Sequence, residues 1–129
     1  MLHMSQEHVD AMNAVLVDSV EVKEACRSLS APRTWNYHLT DGPDGEDVDW
    51  FVLFGDTVEF SLDPLGAPAD VLFTADWARM MRTTKAVREG RDLDSGVVVT
   101  GDPAVVAETS AVLQVARGVA TLPVEFPDC

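Results

Sequence analysis

The densest group of potential metal ligands in this chain is an acidic run in its first half. Carboxylate oxygens are the ligands that calcium prefers, so the run invites comparison with a calcium-binding loop. In a loop that starts at Asp41 the twelfth position is Val52, where an EF-hand requires a bidentate Glu. We therefore predict a solvated hairpin turn rather than a metal site. Its acidic residues are Asp41, Asp44, Glu46, Asp47 and Asp49.

The three histidines do not form a catalytic group by their spacing. His38 is predicted on the opposite face of its strand from Trp35, and His3 and His8 lie in a chain start that we expect to be frayed. A nucleophile would need a base within hydrogen-bond reach, and no Ser/His/Asp or Cys/His arrangement follows from the sequence. The sequence therefore predicts no catalytic residue.

The remaining candidates also have structural explanations. Cys26 and Cys129 lack both metal-ligand and CxxC spacing, which favours free thiols in a reducing compartment over a disulfide. Asp102 stands before Pro103 at the head of a predicted helix, where its carboxylate already occupies the position of a bound anion. We interpret it as an N-cap rather than part of a phosphate loop. No cofactor or metal site is indicated.

Composition excludes several kinds of partner. The 129 residues are predicted to form one domain, 1–129, and 22 acidic against 9 basic residues give a net charge of −13. Such a charge argues against binding nucleic acid or docking stably on anionic membranes. No apolar run approaches the roughly 20 residues of a membrane span, and no secretory signal is apparent. We expect a cytoplasmic protein, whose oligomeric state the sequence leaves open.

The first half of the chain predicts helices followed by three strands. Apolar residues at helical spacing indicate one or two helices over 5–29. Alternating residues predict a strand at 34–39, a continuous apolar run predicts a central strand at 50–54, and alternation resumes at 57–62. A two-residue turn at 55–56, with its glycine at positive φ, would make these strands an antiparallel meander.

The second half predicts a strand, a helix, a strand and a helix. The strands are expected at 71–74 and 97–100, and the helices at 76–89 and 104–117. Gly90 suits a left-handed cap at the end of the first of these helices. That helix has an apolar side at spacings of three and four residues, which we expect to face the core. The side consists of Trp77, Met80, Met81, Thr84 and Val87.

This second half resembles the sterol carrier protein 2 (SCP2) family of lipid-binding domains. The resemblance lies in Thr-Ala-Asp-Trp at 74–77, Gly90, Ser-Gly-Val-Val-Val-Thr-Gly-Asp at 95–102 and the alanine-rich helix that follows. It implies an α+β fold: a five-stranded mixed, mostly antiparallel sheet, with helices packed on one face and an apolar tunnel between the layers. It also implies non-catalytic binding or transfer of a fatty acid, an acyl-CoA, a sterol-like molecule or another lipid.

Residues expected to line that apolar space come from the strands and the last two helices. Methionines such as Met80 and Met81 adapt to ligands of varied shape, although they also suit an ordinary helix core. The expected lining residues are Trp35, Tyr37, Trp50, Val52, Phe54, Phe60, Phe73, Trp77, Met80, Met81, Val112 and Leu113.

Two other kinds of function stay open at this point. A small cone-shaped enzyme of the NTF2-like isomerase or cyclase type would also enclose an apolar pocket, and it should place a His or Asp inside. An accessory interaction module could instead use a basic helix face to dock an acidic partner, although a solvated face explains the same residues. That face is formed by Arg79, Arg82, Lys85, Arg88 and Arg91.

Overall fold

The computed structural model describes residues 1–127. Four helices lie in this range: α1 (Gln6–Val17), α2 (Val20–Cys26), α3 (Trp77–Arg88) and α4 (Pro103–Val119). Five strands accompany them: β1 (Arg33–Thr40), β2 (Val48–Phe54), β3 (Val58–Ser61), β4 (Val71–Asp76) and β5 (Val98–Gly101). The order of elements is the one that the sequence predicts, with two helices in the first segment.

The five strands form one mixed sheet in the order β3-β2-β1-β4-β5. β1, β2 and β3 make the predicted antiparallel meander, β4 pairs with β1 in parallel, and β5 pairs with β4 antiparallel. The predicted five-stranded, mostly antiparallel sheet is therefore confirmed. The parallel pair places β4 beside the strand that begins the meander, which makes β1 the centre of the sheet.

Strand register collects the large apolar side chains on one face of the sheet. Trp35 is paired with Val52 on one side and Val71 on the other, and Tyr37 is paired with Trp50 and Phe73. Because directly paired residues point to the same side, these side chains share the face against which the helices pack.

The buried residues divide into two clusters on that face. One cluster lies under α1, α2 and α4 and includes Leu16, Phe54 and Leu113. The other surrounds Leu39 and Met81, where α3 packs. Four partly buried residues pack against both clusters: Met4, Tyr37, Leu62 and Val97.

The helix ends follow from capping side chains. Asp76 accepts a hydrogen bond from the backbone N–H of Arg79 at 2.9 Å, and Asp102 accepts one from Ala104 at 2.8 Å, with Pro103 in the first turn. Gly90 follows α3 with φ +79°. The predicted capping roles of Asp102 and Gly90 are confirmed.

One local prediction is wrong. The turn between β2 and β3 contains three residues, since Phe54 pairs with Val58, and Gly55 does not take a positive φ; its N–H instead bonds the carbonyl of Thr57 at 3.0 Å. On the predicted apolar side of α3, Trp77, Met80 and Met81 are buried, whereas Val87 in the last turn is 58% exposed.

Candidate ligand-binding cavity

A cavity of about 640 Å³ lies between the helix-covered face of the sheet and helices α1, α3 and α4. It borders both core clusters, because its wall includes Met12, Val52 and Phe73 from the first and Trp50 and Met80 from the second. Most of the exposed surface inside it belongs to apolar atoms. The other lining residues are His3, Met4, His8, Tyr37, Phe60, Thr83, Thr84, Val87, Arg88, Ser95, Val97, Arg117, Ala120 and Thr121.

Six of the residues expected to line an apolar space contribute to this wall. They are Tyr37, Trp50, Val52, Phe60, Phe73 and Met80. The other six pack in the two core clusters and do not line the cavity: Trp35, Phe54, Trp77, Met81, Val112 and Leu113. Both sets are apolar residues of the same elements, so periodicity indicates the face on which a residue lies but not where the layers separate.

Trp35 shows how a residue on the inward face is held in the core. Its indole N–H donates a hydrogen bond of 2.8 Å to the hydroxyl of Thr109 on α4, and both side chains are buried. Beside it, the rings of Tyr37 and Phe73 stack at 4.5 Å between centroids. Trp35 therefore joins β1 to α4, while the Tyr37–Phe73 stack forms part of the cavity wall.

Asn13 fixes α1 over the edge of the sheet. Its side chain donates to the carbonyl of Phe60 and accepts from the backbone N–H of Phe60, each at 2.8 Å. This pair of bonds replaces the partner strand that the outer edge of β3 lacks. It fixes the position of Phe60 relative to the side of α1 that faces the cavity. That side carries His8 and Met12.

The start of the chain is ordered, so the predicted frayed segment is wrong. The backbone N–H of His3 bonds the carbonyl of Glu125 at 2.9 Å, and that of Glu125 bonds the carbonyl of Met1 at 2.9 Å. The His3 ring stacks on Phe126 at 4.9 Å and meets Trp50 edge-on at 5.6 Å. The C-terminal segment thus pairs with the N-terminal one and holds it against the cavity.

His8 is fully buried and is one of the residues that line the cavity. Its Nδ1 lies 2.9 Å from the backbone N–H of Met4, which must be the donor, so neutral His8 carries its proton on Nε2. Among the described residues, Nε2 has no hydrogen-bond partner, and neither has Nδ1 of His3. Sequence reasoning missed both residues, although Ser5 as an N-cap is a signal that α1 begins early.

The surroundings of the two histidines disfavour their charged forms. Burial, then the neighbouring His8, then Arg88 lower the pKa of His3 from its usual 6.5 to about 3. Burial, Arg88 and the amino terminus also lower the pKa of His8. The centroids of the two rings are 5.4 Å apart. Because both pKa values are lowered, both side chains are neutral at pH 7.

Two arginines stand at the exposed side of the cavity. Nη1 of Arg88 donates to the carbonyl of Leu122 at 2.7 Å, and its guanidinium carbon lies 5.8 Å from the centroid of the Phe126 ring. Arg117 is also part of the wall. Burial raises the pKa of Tyr37, while the charge of Arg117 and a hydrogen bond to it act in the opposite direction.

The basic face of α3 is not uniform. Arg79 lies 3.6 Å from Asp94, and Arg91, beyond the helix, lies 2.6 Å from Glu89. Arg88 instead turns to the cavity. On this basic face, Arg79 and Arg91 are therefore paired with nearby carboxylates, whereas Arg88 forms part of the cavity wall.

The acidic turn and His38 lie away from the cavity. His38 is on the outer face of the sheet, as predicted, with Nδ1 2.9 Å from Asp49 and Nε2 3.1 Å from Asp47. The hydrogen bond to Asp49 is the main cause that raises the pKa of His38. No three His, Cys, Asp or Glu side chains within the described range converge as a metal-binding group.

Comparison with known proteins identifies the architecture. No family model matches the chain, and no curated protein sequence matches it. A crystal structure of sterol carrier protein 2 superimposes with a TM-score of 0.54 at 16% identity, over 90% of this chain and 95% of that one. The chain has the SCP2 fold.

Two further solved structures agree with the SCP2 fold. A conserved hypothetical protein from Thermus thermophilus, described as a candidate sterol carrier protein, gives a TM-score of 0.54 at 18% identity, covering 95% of this chain and 93% of that one. A UbiJ-SCP2 ubiquinone synthesis protein gives 0.50 at 19%, covering 84% and 90%. These superpositions agree with the sheet and helices that the resemblance implied.

The SCP2 fold does not favour the cone-shaped enzyme alternative. His8 does lie inside, but it is held by a backbone N–H, and no buried carboxylate is found among residues 1–127.

Cys26 is a buried free thiol whose pKa is raised by burial, whereas Cys129 lies outside the described residues. No helix of the described part is both long and apolar enough to cross a membrane.

The buried histidines make the free energy of unfolding depend on pH in the acidic range. The folded pKa of His3 lies below its usual value, so the unfolded chain binds more protons, and this contribution to stability is complete above pH 6.5 and is lost as the pH falls toward 3. We expect the thermal midpoint of the wild type to fall more steeply between pH 7 and 4 than that of His3→Phe. Scanning calorimetry across this range measures both slopes.

His38→Asn is the matched control for this prediction. The pKa of His38 is raised, so its contribution is present below pH 6.5 and is lost as the pH rises through the folded pKa. The acid slope of His38→Asn should therefore not be shallower than that of the wild type. Equal slopes in His3→Phe and the wild type would contradict a buried neutral His3.

Proposed function

We propose that this protein binds a lipid or another elongated apolar molecule, without catalysing its conversion, in the cavity between sheet and helices. The observation that carries the proposal is the cavity of about 640 Å³ with its mainly apolar wall. Small-molecule sites typically enclose about 300–1,000 Å³ and combine an apolar lining with a few polar groups. The space is therefore of a size that a ligand can fill.

The wall suits a flexible tail better than a rigid polar molecule. Its floor consists of the aromatic side chains of the sheet, and its sides include Met4, Met12 and Met80. Methionine side chains follow irregular shapes, and each buried methylene of a ligand gains about 0.8 kcal/mol. The affinity would come from burial of the tail, with polar groups orienting the head.

The structural neighbours support the same class of ligand. Two of them are named as sterol carrier proteins or candidates, and the third as a ubiquinone synthesis protein. Fatty acids, acyl-CoA and sterol-like lipids are the candidates that we propose. The net charge of −13 disfavours docking on anionic membranes, so we propose binding in the cytoplasm as the primary activity.

A chain-length series tests the proposal. Affinity for straight-chain fatty acids should rise about fourfold per added methylene and then level off when the cavity is full. Trp50 lies in the wall whereas Trp77 does not, so a ligand should change the fluorescence of Trp50. Titrations of the wild type, Trp50→Phe and Trp77→Phe with C8 to C18 acids measure both effects.

The fluorescence change should disappear in Trp50→Phe and persist in Trp77→Phe. An affinity that is independent of chain length would contradict burial of the tail. Absence of binding across the whole series, including sterol and acyl-CoA competitors, would overturn the proposed function.

A further inference from the structure

The wall of the cavity includes a residue with a hydrogen-bond donor that has no acceptor among the described residues. Because Nδ1 of His8 accepts from Met4, its Nε2 carries a hydrogen, and this buried N–H has no acceptor among the described residues. A buried donor that lacks an acceptor destabilises the protein, and an acceptor oxygen of a ligand would satisfy it.

Positive charge accompanies this donor in a strongly acidic protein. Arg88 lines the same cavity and is close enough to His3 and His8 to act on both electrostatically. Its side chain is fixed by the carbonyl of Leu122 and by the Phe126 ring, on which His3 also stacks. Arg117 adds a second cation to the wall. These groups together favour an anion over a neutral acceptor.

We propose that His3, His8 and Arg88 bind the negatively charged head group, a carboxylate or a phosphate monoester, of the apolar ligand. This inference rests on the proposed function and specifies the ligand for that cavity. Nε2 of His8 donates to a head-group oxygen, and Arg88 supplies the opposing charge. The tail then lies along the Tyr37–Phe73 stack and Met80.

The experiment compares three ligands with the same C12 tail: dodecanoate, dodecyl phosphate and dodecanol. The wild type should bind at least one anionic ligand about tenfold or more tightly than the alcohol, since hydrogen bonds to charged groups are the stronger kind. His8→Phe should lose most of this preference while still binding dodecanol.

Two variants that each remove one arginine charge distinguish a specific contribution of Arg88 from a general effect of positive charge on α3. Arg88 and Arg82 are both exposed on α3, but only Arg88 belongs to the cavity wall. Arg88→Gln should lower the preference for the anion about threefold or more, Arg88→Lys should restore part of it, and Arg82→Gln should leave it unchanged. A phosphate preference and a carboxylate preference both support the proposal and identify the head group.

Other outcomes overturn it. Equal affinity for the three C12 ligands in the wild type, or equal effects of Arg88→Gln and Arg82→Gln, would refute the head-group site while leaving the apolar binding intact. Failure to bind any C12 ligand, together with no binding in the chain-length series, would refute the proposed function itself.

Discussion

Val52→Trp should weaken binding of a C16 fatty acid about fifteenfold while the protein stays folded. Val52 is 2% exposed and lies in the cavity wall at the centre of β2, where an indole extends into the ligand space. If the indole displaces two methylene groups of the tail, the loss is about 1.6 kcal/mol. Fluorescent-probe displacement by the C16 acid measures the effect.

Val58→Trp is the control for this prediction. Val58 is 1% exposed and lies on the same inward face, but it packs in the core and is not part of the cavity wall. Overpacking a dense core costs about 1–3 kcal/mol, so Val58→Trp should lower the free energy of unfolding more than Val52→Trp does. Unchanged C16 affinity in Val52→Trp would show that the tail does not occupy this cavity.

Phe54→Ala should lower the free energy of unfolding by about 3–5 kcal/mol, a large part of the 5–15 kcal/mol typical of a domain. Phe54 is 1% exposed at the end of β2, and its ring centroid lies 5.2 Å from that of Trp35. The truncation leaves a void in the larger core cluster, which the surrounding side chains fill only in part. Equilibrium urea denaturation gives the difference.

Phe60→Ala provides the comparison for the cavity wall. Phe60 is only half-buried and borders space that is already open, so its removal should cost less than half as much as that of Phe54. The enlarged cavity should also shift the optimum chain length upward. Equal destabilisation by the two variants would contradict the division between core and wall described above.

The sequence predicted the elements well because local chemistry fixes them. Asp102 before Pro103 begins α4, Gly90 follows α3 in the left-handed conformation, and alternating residues form β1 and β3. Its error at the chain start came from a long-range contact, because the backbone of Glu125 pairs with that of Met1 and His3.

The lining of the cavity could be predicted only in part, and the reason is geometric. Strand alternation placed Tyr37 on the inward face, but Trp35 shares that face and lies in the core. The separation of the layers depends on how helices of different length cross the sheet, which no residue pattern encodes locally.

By itself, the sequence determined the fold class and the inward faces of β1 and β3. Tertiary structure alone decided which apolar residues border open space. It also brought His3, His8 and Arg88 to one cavity, because the bridge between Leu2 and Glu125 fixes the position of the first residues. Periodicity reports on neighbours within one element, whereas a cavity is defined by the distances between elements.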